Sequence, residues 1–201
     1  MKKVIALLVA MSTTAVFAGV DYASKYIYRG ATVSTSAAIQ PSMDTNVLGL
    51  DVGAWASYDT GNDEFQEVDF AIGYDVTEIA GVGVSVGLTE YIYTAEASTA
   101  EADTEASLFL DYAIAGVDLS AALNKTIDGT TGDYTILGAS YGFDITASLA
   151  GSVSYEVGTL DDGTDKEEAY SSITVAADLG SFVGLDVGVA YTTINDGDID
   201  N

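Results

Sequence analysis

Positive charge is scarce in this sequence, and two of its six lysine and arginine residues lie together in SKYIYRGATVS, residues 24–34. Lys25 and Arg29 are interleaved there with tyrosines, against a background of 31 acidic residues. An arginine guanidinium can bind a carboxylate through two parallel hydrogen bonds, whereas a lysine ammonium binds it as a point charge. The segment therefore predicts electrostatic pairing with carboxylates of neighbouring segments.

Catalytic chemistry has little support in the residue types. The sequence contains no histidine and no cysteine, which excludes Ser–His and Cys–His nucleophilic arrangements. Paired carboxylates can transfer protons, but so many acidic residues produce pairs by chance. We predict that the protein is not an enzyme and has no catalytic residues and no cofactor.

Two segments rich in aspartate and glycine, residues 160–168 and 194–200, could offer oxygen ligands to calcium. Neither has the spacing of an EF-hand loop. We interpret them as solvated acidic loops, with calcium binding as the alternative, and assign no metal site.

The first eighteen residues have the layout of a secretory signal peptide, with two lysines, an apolar run and a polar stretch that ends at Ala18. The apolar run is too short to span a bilayer. Cleavage after Ala18 would leave a single domain, residues 19–201. Loss of Lys2 and Lys3 would change the formal net charge from −25 to −27. Such a charge argues against nucleic acid as a partner, because phosphate binding needs a basic patch.

Apolar and polar residues alternate with a period of two, which is the pattern of β-strands. In EVDFAIGYDV, residues 67–76, one face is apolar and the other carries acidic or small residues. No helix is predicted. The pattern predicts eleven strands, at residues 20–32, 37–46, 49–58, 66–76, 82–93, 105–115, 117–126, 133–142, 145–156, 169–179 and 183–194.

The connections between these strands alternate between short turns and longer polar loops, which is typical of outer-membrane barrels. The polar face consists mainly of glycine, alanine, serine, threonine and aspartate, which suits a concave interior, and aromatic residues lie near the strand ends. We therefore predict an all-β, antiparallel, up-and-down transmembrane β-barrel in the bacterial outer membrane. A soluble exported β protein, whose apolar face packs against a second sheet, is the alternative.

In such a barrel the apolar face contacts lipid and the polar face lines the interior. Tyr22, Tyr26 and Tyr28 are then predicted to point outward. Lysine or arginine on the lipid face costs about 2–4 kcal/mol near the bilayer midplane, so both cations of the opening segment are predicted to point inward. The predicted pore-lining residues are Lys25, Arg29, Asp44, Asp51, Glu67, Asp69, Asp75, Asp111, Asp118, Asp144, Asp178 and Asp186.

Rings of carboxylates favour cations in pores. The predicted function is accordingly a passive, cation-preferring pore for small solutes, with outer-membrane lipid and small cations or solutes as partners. The alternative is a non-conducting barrel with a structural or surface-interaction role. For Arg29 both a packing role and a role in gating or selectivity are compatible with the pattern.

The segment SKYIYRGATVS, followed by AIQPSMD at residues 38–44, resembles the N-terminal signature of the TorF-like family of proteobacterial outer-membrane porins. The matching positions are Tyr26, Arg29, Gly30, Ser34, Ile39 and Gln40. The resemblance implies an outer-membrane barrel and a pore without naming a solute. Bacterial single-chain barrels have an even number of strands, so about twelve are expected. The twelfth either follows the end of this sequence or is one that the count of eleven misses.

Overall fold

The computed structural model describes residues 16–95, 102–129, 132–161, 166–182 and 185–196. Within these ranges no helix has the length and hydrophobicity that crossing a membrane requires. The strands are β1 (Val16–Ala23), β2 (Tyr26–Tyr28), β3 (Ala31–Ser34), β4 (Ala38–Val47), β5 (Leu50–Asp59), β6 (Glu64–Ile79), β7 (Val82–Tyr93), β8 (Ala102–Ile114), β9 (Val117–Asp128), β10 (Asp133–Thr146), β11 (Leu149–Asp161), β12 (Lys166–Phe182) and β13 (Leu185–Asp196).

Eleven of these strands form one antiparallel sheet with the order β1, β4, β5 and so on to β13. Every strand from β4 to β12 pairs with the next strand along the chain, which is up-and-down topology. Strands β4 to β13 correspond to ten of the eleven strands predicted from the alternation. The predicted all-β antiparallel fold is confirmed. In the described residues β1 and β13 are the two edges of the sheet and do not pair with each other.

Three connections between strands of the large sheet are two-residue turns in which both residues have positive φ. This is the geometry of type I′ turns, whose twist matches that of the flanking strands, and glycine at the second position adopts it at low cost. The pairs are Leu48–Gly49, Ala80–Gly81 and Ala115–Gly116. These short turns lie at one end of the sheet, and the longer connections lie at the other.

The register of the ladders places the polar positions of neighbouring strands on one face of the sheet. Ser57 pairs with Glu67, for example, and Ser107 pairs with Asn124. Residues directly opposite each other in a ladder share a face. All ten acidic residues predicted to line a pore fall on this polar face by register.

The opposite face is apolar and uncovered. Phe70 and Tyr74 of β6 are 50% and 49% exposed, and large aliphatic and aromatic side chains of the other strands are exposed in the same way. The buried hydrophobic residues of the described chain are only four: Tyr26, Ala38, Ala169 and Tyr170. No second layer of the described residues therefore packs against the apolar face.

The predicted strand over residues 20–32 is wrong beyond Ala23. The chain leaves the sheet there, and β2 and β3 pair only with each other. Arg29 and Gly30, with φ of 48° and 84°, form the turn between them, so this turn has the positive φ values of the short turns of the sheet. The alternation of residue types continues through the reversal, which is why the sequence pattern did not show it.

The predicted signal peptide falls mostly on residues 1–15, which lie outside the described residues. Val16, Phe17 and Ala18 belong to β1, where they pair with Thr45, Asp44 and Met43. Cleavage after Ala18 would therefore shorten β1 to residues 19–23 and leave the rest of its ladder with β4 in place.

Candidate functional site

The hairpin formed by β2 and β3, residues 26–34, packs against the polar face of the sheet. We call it the inner hairpin. Tyr26 donates a hydrogen bond to Glu67 of β6, with 2.6 Å between the oxygen atoms. Burial and this hydrogen bond raise the pKa of Tyr26 well above its ordinary value, so the phenol stays a protonated donor. The predicted outward orientation of Tyr26 is wrong, because the chain reverses inside the sheet instead of continuing along it.

Arg29, at the tip of the inner hairpin, forms a bidentate ion pair with Glu105 of β8. Nη1 lies 2.7 Å from Oε2, and Nη2 lies 2.8 Å from Oε1. The two side chains are only 8% and 5% exposed. Tyr91 of β7 donates a further hydrogen bond of 3.2 Å to Glu105 Oε1. The carboxylate is therefore held by three donors in a buried setting, where such bonds are at their strongest.

Aromatic rings complete the surroundings of the guanidinium. Its central carbon lies 4.5 Å from the ring centre of Tyr134 on β10 and 4.8 Å from that of Tyr28. Both distances are within the range of cation–π attraction. Tyr28 also packs against Tyr91, with 5.9 Å between ring centres. Burial raises the pKa of Tyr28, which was predicted to face outward and lies inside for the same reason as Tyr26.

Gly30 brings the tip of the inner hairpin against β12. A Cβ atom at this position would lie 2.4 Å from Cβ of Tyr170, closer than real side chains approach, and φ is +84°. Tyr170 is buried and donates a hydrogen bond of 2.6 Å to Glu156 of β11. Glycine is thus required here both by conformation and by contact.

The neighbouring residues Arg29 and Gly30 contact β8 and β12, which are four strands apart in the sheet. In a flat sheet those two strands would be about 19 Å apart, at about 4.8 Å per strand. Two adjacent residues cannot span that distance. The sheet is therefore curved round the inner hairpin, with its polar face on the inside.

The return strand of the inner hairpin is held at Asp59, the last residue of β5. Ser34 donates to Asp59 Oδ2 at 2.6 Å, and Gln66 donates to the same oxygen at 3.2 Å. The backbone N–H groups of Gly61 and Asn62 donate to Oδ1 at 2.7 and 3.1 Å. Asp59 is fully buried. One carboxylate thus joins the hairpin to the loop between β5 and β6.

A cavity of about 830 Å³ lies between the inner hairpin, strands β4 to β6 and the two edge strands β1 and β13. Lys25 and Asp69 are the ionisable acidic and basic side chains in its lining, with Trp55 beside them. The ring of Trp55 packs on Tyr26 at 5.5 Å between centres. Oδ1 of Asp69 is buried and, in the described residues, has no hydrogen-bond partner. Lys25 is exposed, so of the two predicted inward cations only Arg29 is enclosed by carboxylate and rings.

Apart from Lys25, which lies between β1 and β2, the predicted pore-lining residues separate into two groups along the polar face. Arg29 and Glu67 belong to the buried cluster round the inner hairpin, and Asp69 adjoins it. The remaining aspartates are exposed and lie within five residues of a short connection. They are Asp44, Asp51, Asp75, Asp111, Asp118, Asp144, Asp178 and Asp186.

Four of the six positions that carry the family resemblance lie in the inner hairpin, and a fifth lines the cavity beside it. Tyr26, Arg29, Gly30 and Ser34 make the contacts described above, and Gln40 lies 3.4 Å from Ser57 Oγ on the same face. The sixth, Ile39, is 40% exposed on the apolar face.

The sequence did not identify the partners of these residues. Glu105, Tyr91, Tyr134 and Asp59 were not among the candidate residues. Alternation already placed Glu105 on the polar face of its strand. Which strands face the hairpin depends on the turn at residues 29–30 and on the curvature of the sheet.

In the described ranges no group of three or more acidic, histidine or cysteine side chains is arranged to hold a metal ion. Parts of the two acidic segments considered for calcium, residues 162–165 and 197–200, lie outside the described residues. No metal ligand is assigned in either segment.

The chain belongs to the Gcw_chp family, which is described as a family of bacterial proteins of unknown function, and the family model matches residues 9–200. No curated protein matches the chain. The family description names no activity.

Proposed function

We propose that this member of the Gcw_chp family is an outer-membrane β-barrel that acts as a passive, cation-preferring pore for small solutes. Its N-terminal segment resembles that of TorF-like porins, and the proposal agrees with that resemblance. The observation that carries it is the division of the sheet into an uncovered apolar face and a concave face lined with carboxylates.

Barrel closure is supported by the directions of the two edge strands. Both β1 and β13 run from the short-turn end towards the long-loop end. One further strand between them would be antiparallel to both and would give a closed barrel of twelve strands, an even number. Tyr22 of β1 and Tyr191 of β13 line the same cavity, so the two edges lie on either side of one gap.

Insertion into a membrane is supported by the outer face. Water is a poor solvent for a continuous apolar surface, and soluble monomers rarely expose one of this extent. The strands from β4 to β13 have 10 to 17 residues, which is sufficient for a tilted strand to cross the hydrocarbon layer. Hydrocarbon in contact with this face would account for its exposure.

Cation preference is supported by the eight exposed aspartates near the short connections. Carboxylate rings favour cations. A barrel of twelve strands is narrower than the sixteen-stranded porins, and the Debye length at physiological salt is about 8 Å. The field of the aspartates would therefore extend over much of such a lumen.

A second candidate function follows from the inner hairpin itself. The hairpin occupies the polar face near the long-loop end, and Tyr26, Gly30 and Tyr170 are buried there. If it fills the whole cross-section, the protein is a non-conducting barrel with a structural or surface-interaction role.

Recordings of the refolded protein in planar lipid bilayers test the proposal. A salt gradient should give a reproducible conductance with a reversal potential on the cation-selective side. A protein that folds, as shown by heat-modifiable migration on gels, but stays silent supports the second candidate. A protein that remains monodisperse in buffer without detergent would contradict both candidate functions, because its apolar face would then have to be covered by protein.

A further inference from the structure

The guanidinium of Arg29 occupies a pocket whose walls belong mainly to the sheet. Glu105, Tyr91 and Tyr134 come from β8, β7 and β10, and only Tyr28 moves with the inner hairpin. The hydrogen bond from Tyr91 to Glu105 does not involve Arg29, so it can hold the carboxylate in place when the guanidinium leaves. The sheet thus carries a recognition surface for a flat cation.

This surface suits a guanidinium better than an ammonium ion. The two oxygens of Glu105 accept two parallel N–H bonds at 2.7 and 2.8 Å, a geometry that a planar fork provides and a point charge does not. The Tyr134 ring, 4.5 Å from the guanidinium carbon, adds contact with the same delocalised cation.

The inner hairpin is attached in a way that allows it to leave. In the described residues β2 and β3 form their own two-stranded sheet, so no backbone ladder joins them to the eleven-stranded sheet. Side chains make the attachment, chiefly Tyr26 to Glu67, Arg29 to Glu105 and Ser34 to Asp59. Arg29 also has a positive φ of 48°, which disfavours a residue with a side chain. The ion pair offsets this conformational cost only while the pocket is free for Arg29.

We propose that Glu105, Tyr91 and Tyr134 form a binding site for guanidinium cations that the protein's own Arg29 occupies at rest. A solute with a guanidinium group competes with Arg29 for this site and releases the tip of the inner hairpin. The binding site stands on the contacts alone, whereas the effect of release on passage of ions rests on the proposed pore.

The sequence contains a single tryptophan, and it can report on this exchange. Trp55 packs on Tyr26 of the inner hairpin, so its fluorescence depends on the position of the hairpin. In the Arg29→Ala variant the pocket is vacant, and methylguanidinium should bind to it and change the Trp55 emission in a saturable way. Methylammonium should bind at least about tenfold more weakly, because it can make only one of the two parallel bonds.

The double variant Arg29→Ala with Glu105→Gln provides the control, and it should lose the response to methylguanidinium. Equal binding of the two cations to Arg29→Ala, or an unchanged response in the double variant, would overturn the proposal. If Arg29→Ala fails to fold, the wild-type protein serves instead. Methylguanidinium, but not methylammonium, should then shift its Trp55 emission, and the absence of that difference would equally overturn the proposal.

Because fluorescence needs no ion current, this experiment is independent of the pore. If the protein shows no conductance in the bilayer but binds methylguanidinium selectively, the proposed pore is contradicted and the guanidinium site is supported. If the protein conducts ions but does not bind methylguanidinium selectively, the guanidinium site is contradicted and the proposed pore is supported.

Discussion

Arg29 and Glu105 are separated by 76 positions in the sequence, yet Nη1 of Arg29 lies 2.7 Å from Oε2 of Glu105 in the structure. The pair joins the tip of a hairpin outside the main sheet to a strand in the middle of that sheet. It gives the scarce positive charge of the segment 24–34 a specific partner. The consequences for stability, packing and selectivity can each be measured.

Removal of Arg29 should destabilise the protein strongly. The Arg29→Ala variant leaves Glu105 buried without its counter-ion, which typically costs about 3–5 kcal/mol. Urea unfolding of the refolded protein in detergent or lipid measures this change. Lys125→Ala is the matched control, because the pair of Lys125 with Asp133 has the same 2.7 Å distance but side chains 71% and 41% exposed. That loss should stay below about 1 kcal/mol, and similar losses in both variants would contradict a special role for the buried pair.

Gly30→Ala should dislodge the inner hairpin from β12. The added methyl group would lie 2.4 Å from Cβ of Tyr170, which is close to the backbone and cannot swing away. Gly49→Ala is the control, since Gly49 has φ of +85° and a methyl group added there would meet nothing within 4 Å. Both variants share the backbone strain, so a greater loss of about 1–3 kcal/mol in Gly30→Ala isolates the contact. Equal unfolding free energies would show that β12 does not hold the hairpin.

Tyr26→Phe should loosen the hairpin at its other attachment. The substitution removes the donor to Glu67 and leaves a buried carboxylate with one hydrogen bond fewer, at a cost of about 1–3 kcal/mol. A change in Trp55 emission should accompany the loss, because the Tyr26 ring contacts Trp55. Tyr22→Phe tests specificity, since Tyr22 is 75% exposed and should give neither effect. An unaltered Tyr26→Phe protein would argue that the hydrogen bond contributes nothing.

Asp111→Asn should lower the preference of the proposed pore for cations. Asp111 is exposed on the concave face near a short turn and belongs to the group of eight aspartates there. Asp128→Asn makes the same change of charge at the long-loop end of β9 and should leave selectivity closer to that of the wild type. Reversal potentials in a salt gradient measure the difference. The same reversal potential in wild type and Asp111→Asn would exclude this aspartate from selectivity.

Much of the wall of this protein is encoded locally and could be predicted from the sequence. A period of two in the sequence assigns each residue of a strand to one face of the sheet. Two-residue turns such as Leu48–Gly49 then set where one strand ends and the next begins. Strand β7, predicted at 82–93, has those bounds in the structure. The aspartates of the polar face fall on one side for the same reason.

The buried cluster could not be predicted in the same way. Residues 26–34 keep the alternation of a strand, so the reversal at Arg29–Gly30 is hidden by the pattern around it. The pairing of Arg29 with Glu105 further requires that the sheet curve, which depends on all the strands between them. Alternation assigns a residue to a face and carries no information on what lies opposite that face across the interior.

The position of the inner hairpin in the chain has a consequence for how the protein could be divided. Ala23 pairs with Ala38, so β1 and β4 are direct neighbours and the fourteen residues between them are an elaborate loop in an otherwise ordinary hairpin. The large sheet and the inner hairpin are therefore separable parts of the chain. A two-residue link from Ala23 to Ala38 would leave every ladder of the large sheet unchanged. Substitutions, insertions or deletions within that loop can alter what fills the interior without changing the strands of the large sheet or their pairing.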